Sequence, residues 1–153
     1  MSMNLAQELA AKELQHQRSE HADHEWAMFR GRTMAAKYPV LWGELTRSIE
    51  RFVRDYNEVL PEPVVTTRSD GTFAFEVTKR GRVSIVAKVH LNSSSDCIEF
   101  TISRKIGMDS KPFDQGSFAC DLGSTGELIV LGLERDMPMG VEEVTSSIMS
   151  RAL

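Results

Sequence analysis

Between Thr72 and Arg104 apolar and polar residues alternate through three consecutive runs. Phe73, Phe75 and Val77 share one face of the first, with Ala74, Glu76 and Thr78 on the other. In the second, Val83, Ile85, Ala87, Val89 and Leu91 alternate with Ser84, Val86, Lys88 and His90. In the third, Ile98, Phe100 and Ile102 alternate with Cys97, Glu99, Thr101 and Ser103. A period of two is that of a β-strand with one buried face, so three strands with one apolar side each are predicted. A slip by one residue would turn the apolar set outward, so the alternation restricts the register.

Matching faces predicts Val77 against Ile85, Phe75 against Ala87 and Phe73 against Val89. Arg80, Gly81 and Arg82 are then left as a three-residue turn, a length that favours a left-handed position Gly81 can supply. For the next pair the pattern predicts Leu91 against Ile98, Val89 against Phe100 and Ala87 against Ile102. The polar loop Asn92-Ser93-Ser94-Ser95-Asp96 closes that hairpin at the opposite end.

A period near 3.6 dominates the first part of the chain. Asn4 to about Lys37 reads as helix, rich in Ala, Glu, Gln and Lys, but its centre from Gln15 to Glu25 is almost wholly polar. Such a helix is not held by core burial, so residues 1–37 are expected as an arm that can project or pair with another chain, beside a compact core over 38–153. Proline suits the first turn of a helix and disrupts an interior, so Pro39 is placed at the start of a second helix running to about Leu60. Its stripe is Leu41, Leu45, Ile49, Phe52, Tyr56 and Val59, and it is expected to pack across the sheet.

Val64 to Arg68 reads as a short strand before the turn Ser69-Asp70-Gly71. Lys105 to Gln115 reads as a loop, Gly116 to Leu122 and Glu127 to Glu134 as two more strands, and Met137-Pro138-Met139-Gly140 as a breaker. Leu128 to Leu131 is apolar on both faces, which suits a strand covered twice or a subunit interface. Val141, Val144, Ile148 and Ala152 then mark one face of a terminal helix. The predicted fold is α+β: N-terminal helices, an antiparallel meander of about six strands, and a C-terminal helix packed on one face.

Composition changes this picture little. The 153 residues are 41% hydrophobic with a net charge of −4, which suits one soluble domain and argues against wholesale binding to nucleic acid or an anionic membrane. A cytoplasmic location and no membrane partner are expected, since the N-terminus has no basic and then apolar leader pattern and no apolar run is long enough to span. Two cysteines, Cys97 and Cys120, are too few for a disulfide scaffold. The chain carries no nucleophile elbow, phosphate loop or dinucleotide fingerprint, and no cofactor is expected.

Three clusters carry candidate chemistry. Lys79, Arg80 and Arg82 lie at the first hairpin, and the third strand returns Arg104 and Lys105 beside them, forming a rim able to hold a phosphate, a carboxylate or a nucleic-acid backbone. On the polar sheet face His90 stands opposite Glu99, an arrangement that orients an imidazole or simply pairs charges across strands. In the first helix His16, Glu20 and His24 recur one turn apart, a spacing that suits zinc or nickel, while Met28 breaks the H-E-x-x-H pattern. The reading these features support is a non-enzymatic binding or adaptor protein acting through protein–protein association, expected as a homo-oligomer. The alternatives are a small anionic-ligand-binding protein or enzyme with a pocket between sheet and helix, and nucleic-acid binding through the rim.

Overall fold

The computed structural model describes residues 4–132 and 135–153. The chain divides into two compact units, Met1–Ala36 and Lys37–Leu153. Helix α1 runs Leu5–Glu58, followed by strands β1 (Val65–Ser69), β2 (Ala74–Lys79), β3 (Ser84–Asn92), β4 (Cys97–Ile106), β5 (Asp109–Leu122), β6 (Leu128–Gly132) and β7 (Arg135–Met139), then helix α2 (Val141–Ala152). The strands form one antiparallel meander in the order β1-β2-β3-β4-β5-β6-β7. The fold is α+β as expected, with one strand more.

In the first unit α1 opens with a reciprocal cap. The Asn4 side chain accepts the Gln7 amide at 2.9 Å and the Gln7 side chain accepts the Asn4 amide at 3.2 Å, so two of the orphan donors of the first turn are satisfied. The helix then continues through Pro39, where the spacing predicts a second helix to begin. Proline removes one backbone hydrogen bond and crowds the carbonyl four residues earlier. Around it Tyr38, Leu41, Trp42, Leu45, Ile49 and Val53 are all buried, and apolar burial on that scale offsets the local cost.

The core of the second unit lies on one face of the sheet. Phe75 and Val77, Ala87, Val89 and Leu91, Ile98, Phe100 and Ile102, Phe118, Cys120 and Val130 are buried there with Val144, Ile148, Met149 and Ala152 of α2. Both helices cover this face, because the Thr145 hydroxyl donates to Ser48 at 2.8 Å in a buried contact. Thr145 is also 3.0 Å from the Val141 carbonyl, so two buried hydroxyls enter the core with partners.

Register separates what alternation can and cannot choose. The β3–β4 pairs are Leu91 with Ile98, Val89 with Phe100 and Ala87 with Ile102, as face matching predicts. The β2–β3 pairs are instead Phe75 with Val89, Val77 with Ala87 and Lys79 with Ile85, two residues from the expected register. A shift of two leaves every side chain on its face, so alternation does not detect it. The longer turn brings the Leu91 amide to the Phe73 carbonyl at 2.9 Å and leaves Val83 exposed in the turn.

Two stretches read as irregular are strands. The expected loop Lys105 to Gln115 is a continuation of the β4–β5 hairpin, with Ile106 paired to Asp109 and Gly107 at φ 58°. Glycine in the first central position suits that two-residue turn. Pro112 is tolerated because, among the described residues, β6 pairs only with Ala119–Leu122 of β5, so Pro112 stands on an edge next to a register shift at Ile102/Ser103. Pro138 likewise lies in β7, the last strand of the sheet, opposite Leu131. Expected strand residues Leu133 and Glu134 lie outside the described residues. Leu128, Ile129 and Leu131 of β6 are half-buried and Val130 is buried. No helix of the described residues is long and apolar enough to cross a membrane.

Candidate functional site

The polar sheet face carries a connected cluster. His90 and Glu99 are cross-strand partners, with His90 Nδ1 3.5 Å from Glu99 Oε2. The Cys97 thiol and the Asn92 amide both donate to Glu99 Oε1 at 3.4 Å, and Ser95 Oγ lies 3.5 Å from Cys97 Sγ. Glu99 is therefore the hub. The hydrogen bond from Cys97, with those from Asn92 and His90, holds its carboxyl below the ordinary 4.5, which keeps it ionised and makes it a poor proton acceptor. The Cys97 thiol is raised from 9.0, first by burial and further by the adjacent Glu99 charge, against a lowering hydrogen bond from Ser95. A thiol held protonated is a weak nucleophile. Burial raises Cys120 to about 12. The two cysteines are free and occupy opposite faces of neighbouring strands, Cys120 on the buried one.

These directions make two linked expectations. A folded carboxyl held below its unfolded value contributes stability that is present above the unfolded pKa and is lost as pH falls through the folded pKa. Glu99→Gln should therefore flatten the acid limb of the stability curve. It should also speed alkylation of Cys97 by iodoacetamide at neutral pH, because both effects of Glu99 on the thiol are raising ones. Peptide mass spectrometry separates Cys97 from Cys120, which should stay unlabelled until unfolding. Unchanged Cys97 labelling in Glu99→Gln would show that the carboxylate does not control the thiol.

The basic cluster is real but differently composed. Ser84 pairs with Lys105, Ile85 with Arg104 and Arg104 with Lys111, so the turn after β2 and the β4–β5 hairpin end side by side. Lys79 belongs elsewhere: its Nζ donates to the Leu153 carbonyl at 3.2 Å and lies 5.9 Å from the Tyr56 ring centre. Lys111 joins instead, missed because its segment reads as a loop from its glycine, proline and polar content. Arg104 lies 4.7 Å from the Phe113 ring centre. Among the described residues none of Arg80, Arg82, Arg104, Lys105 or Lys111 forms an ion pair.

The helical histidines do not converge. His16 Nε2 pairs with Glu20 at 3.0 Å and His21 Nε2 with Glu25 at 3.1 Å. His16 and His24 are eight residues apart, about 12 Å along a helix axis, too far for one ion to bridge with Glu20. Among the described residues no group of three His, Cys, Asp or Glu side chains is placed to hold a metal.

A cleft of about 590 Å³ opens between β5, β7 and α2, with Phe100, Gly116 and Phe118 on one side and Glu143, Ser147 and Arg151 on the other. Arg151 lies 5.4 Å from the Phe100 ring centre and 3.6 Å from Asp114 Oδ1, so its charge is already partnered. One residue pair escaped sequence reasoning altogether: the Tyr38 hydroxyl donates to Asp96, whose φ of 51° marks a turn position that aspartate tolerates. Comparison with family models, curated proteins and solved structures finds no match to this chain.

Proposed function

We propose that this protein is a non-enzymatic adaptor that acts by protein–protein association, and that its N-terminal helical segment pairs two copies of the chain. The observation that carries this reading is the exposure of that segment. Every residue from Asn4 to Phe29 is exposed, including Leu5, Leu9, Leu14, Trp26, Met28 and Phe29. Trp26 and Phe29 stand one turn apart with ring centroids 5.7 Å from each other. Large aromatic side chains supply much of the energy of protein interfaces, and a helix without a buried stripe gains stability when a partner covers it.

Light scattering coupled to size exclusion tests this at micromolar concentrations. The expected result is a dimer for the native chain and a monomer for Trp26→Ala/Phe29→Ala, with unchanged circular dichroism from the sheet. A native chain that stays monomeric across that range would remove the reading.

A further inference from the structure

We propose that the end of the sheet carrying the β2–β3 turn and the β4–β5 hairpin tip docks onto an anionic phospholipid bilayer surface, independently of association through the N-terminal helix. The register places the two turns at one level, since Ser84 pairs with Lys105 and Ile106 with Asp109. Their apolar residues are turned outward: Met108 is 98% exposed, Ile106 62%, Phe113 43% and Val83 40%. The two turns and their flanks, residues 80–84 and 104–113, carry five cations, Arg80, Arg82, Arg104, Lys105 and Lys111, and one carboxylate, Asp109. Apolar tips ringed by cations without anionic partners are complementary to a lipid interface, where apolar side chains enter the headgroup and acyl boundary to a depth of roughly 5–10 Å and cations meet phosphates. The absence of a leader and of a spanning run does not bear on surface docking, and the net charge of −4, which argues against wholesale binding to an anionic membrane, averages over the chain and conceals this local excess of positive charge.

A nucleic acid fits the same charges less well. A lone two-stranded ribbon enters a major groove about 12 Å wide, but here β3 flanks β4 as far as Lys105 and the β2–β3 turn stands beside the hairpin. Four strands at a spacing of about 4.8 Å span roughly 14 Å before side chains are added. Single strands need open aromatic faces for stacking, and the one aromatic ring here, Phe113, lies beneath Arg104. The broad, blunt end suits a flat surface.

Sedimentation of the full chain with vesicles tests the assignment, using phosphatidylcholine alone and phosphatidylcholine with 30 mol% phosphatidylserine, alongside a fluorescent 20-base-pair DNA duplex. Binding is expected only to the phosphatidylserine vesicles, with most of it lost in 0.5 M salt. Each cation near such a surface contributes roughly fivefold, so Arg82→Glu/Arg104→Glu/Lys105→Glu should weaken binding by about 100-fold or more. Ile106→Ser/Met108→Ser should weaken it while leaving the charge unchanged. Thermal melts of both variants verify folding, and all five positions are exposed. No binding to the anionic vesicles, equal binding to neutral ones, retention by the triple variant, or tight binding to the duplex alone would each overturn the proposal.

Discussion

Phe100→Ala should destabilise the protein by roughly 3–5 kcal/mol, the cost of removing a buried aromatic side chain whose surroundings collapse only in part. Phe100 is 3% exposed. Its ring lies 5.8 Å from that of Phe118, and the Arg151 guanidinium is 5.4 Å from its centre on the α2 side. Its partner on β5 is Gly116, where a β-carbon would come within 2.7 Å of the ring. Glycine here is a matter of space. Gly116→Ala should therefore cost about 1–3 kcal/mol on its own, and distinctly less in a Phe100→Leu background, where the flat ring is gone. Equilibrium urea denaturation of the four chains gives the coupling directly. A loss below 1 kcal/mol for Phe100→Ala, or additive effects, would show that the ring is not packed as described.

The second large effect is expected from a polar residue. Asn57, in the last turn of α1, donates to the Val65 carbonyl at 2.9 Å and accepts the amides of Val64 and Val65 at 3.1 and 3.2 Å. One side chain thus joins the end of the helix to the first strand across the Pro61-Glu62-Pro63 connection. Each such bond contributes about 1 kcal/mol net, and partly buried backbone groups left unpaired cost more. Asn57→Ala is expected to lose roughly 2–4 kcal/mol, with Asn57→Asp between the two because it keeps the acceptor and loses the donor. Hydrogen exchange of the β1 amides should accelerate in step with the loss. Exchange that rises equally throughout the sheet would point to global rather than local opening.

The charged groups on the polar sheet face are expected to matter little beside these. His90 and Glu99 are 52% and 45% exposed, so solvent screens their attraction. They belong to a network of five side chains, with Asn92, Ser95 and Cys97, that keeps a carboxylate ionised and a thiol protonated.

Local pattern sufficed wherever the physical cause is itself local. Strand alternation, the period of the second half of α1 and the face of α2 follow from which side chains leave water, and the β3–β4 register with His90 opposite Glu99 followed from matching faces across a loop. The β2–β3 register needed more, because a shift of two residues preserves every face. By local pattern Pro39 marks a helix start, Pro112 a loop and Pro138 a breaker, yet each lies inside a helix or strand. Proline's local cost is fixed by covalent geometry, whereas its tolerance depends on what packs nearby and on whether a strand is an edge.

Candidate chemistry divided along the same line. The sequence by itself determined an α+β meander with helices at both ends, one buried sheet face and a basic cluster from two separate turns. Only the tertiary structure decided that Lys79 leaves that cluster for Leu153 and Tyr56, that Lys111 enters it, and that Met108 and Ile106 stand beside it in the open. Hydrophobic periodicity reports which face of an element is buried. Which elements lie beside one another, and where each strand ends, depends on long-range pairing free energies that no short window of residues contains.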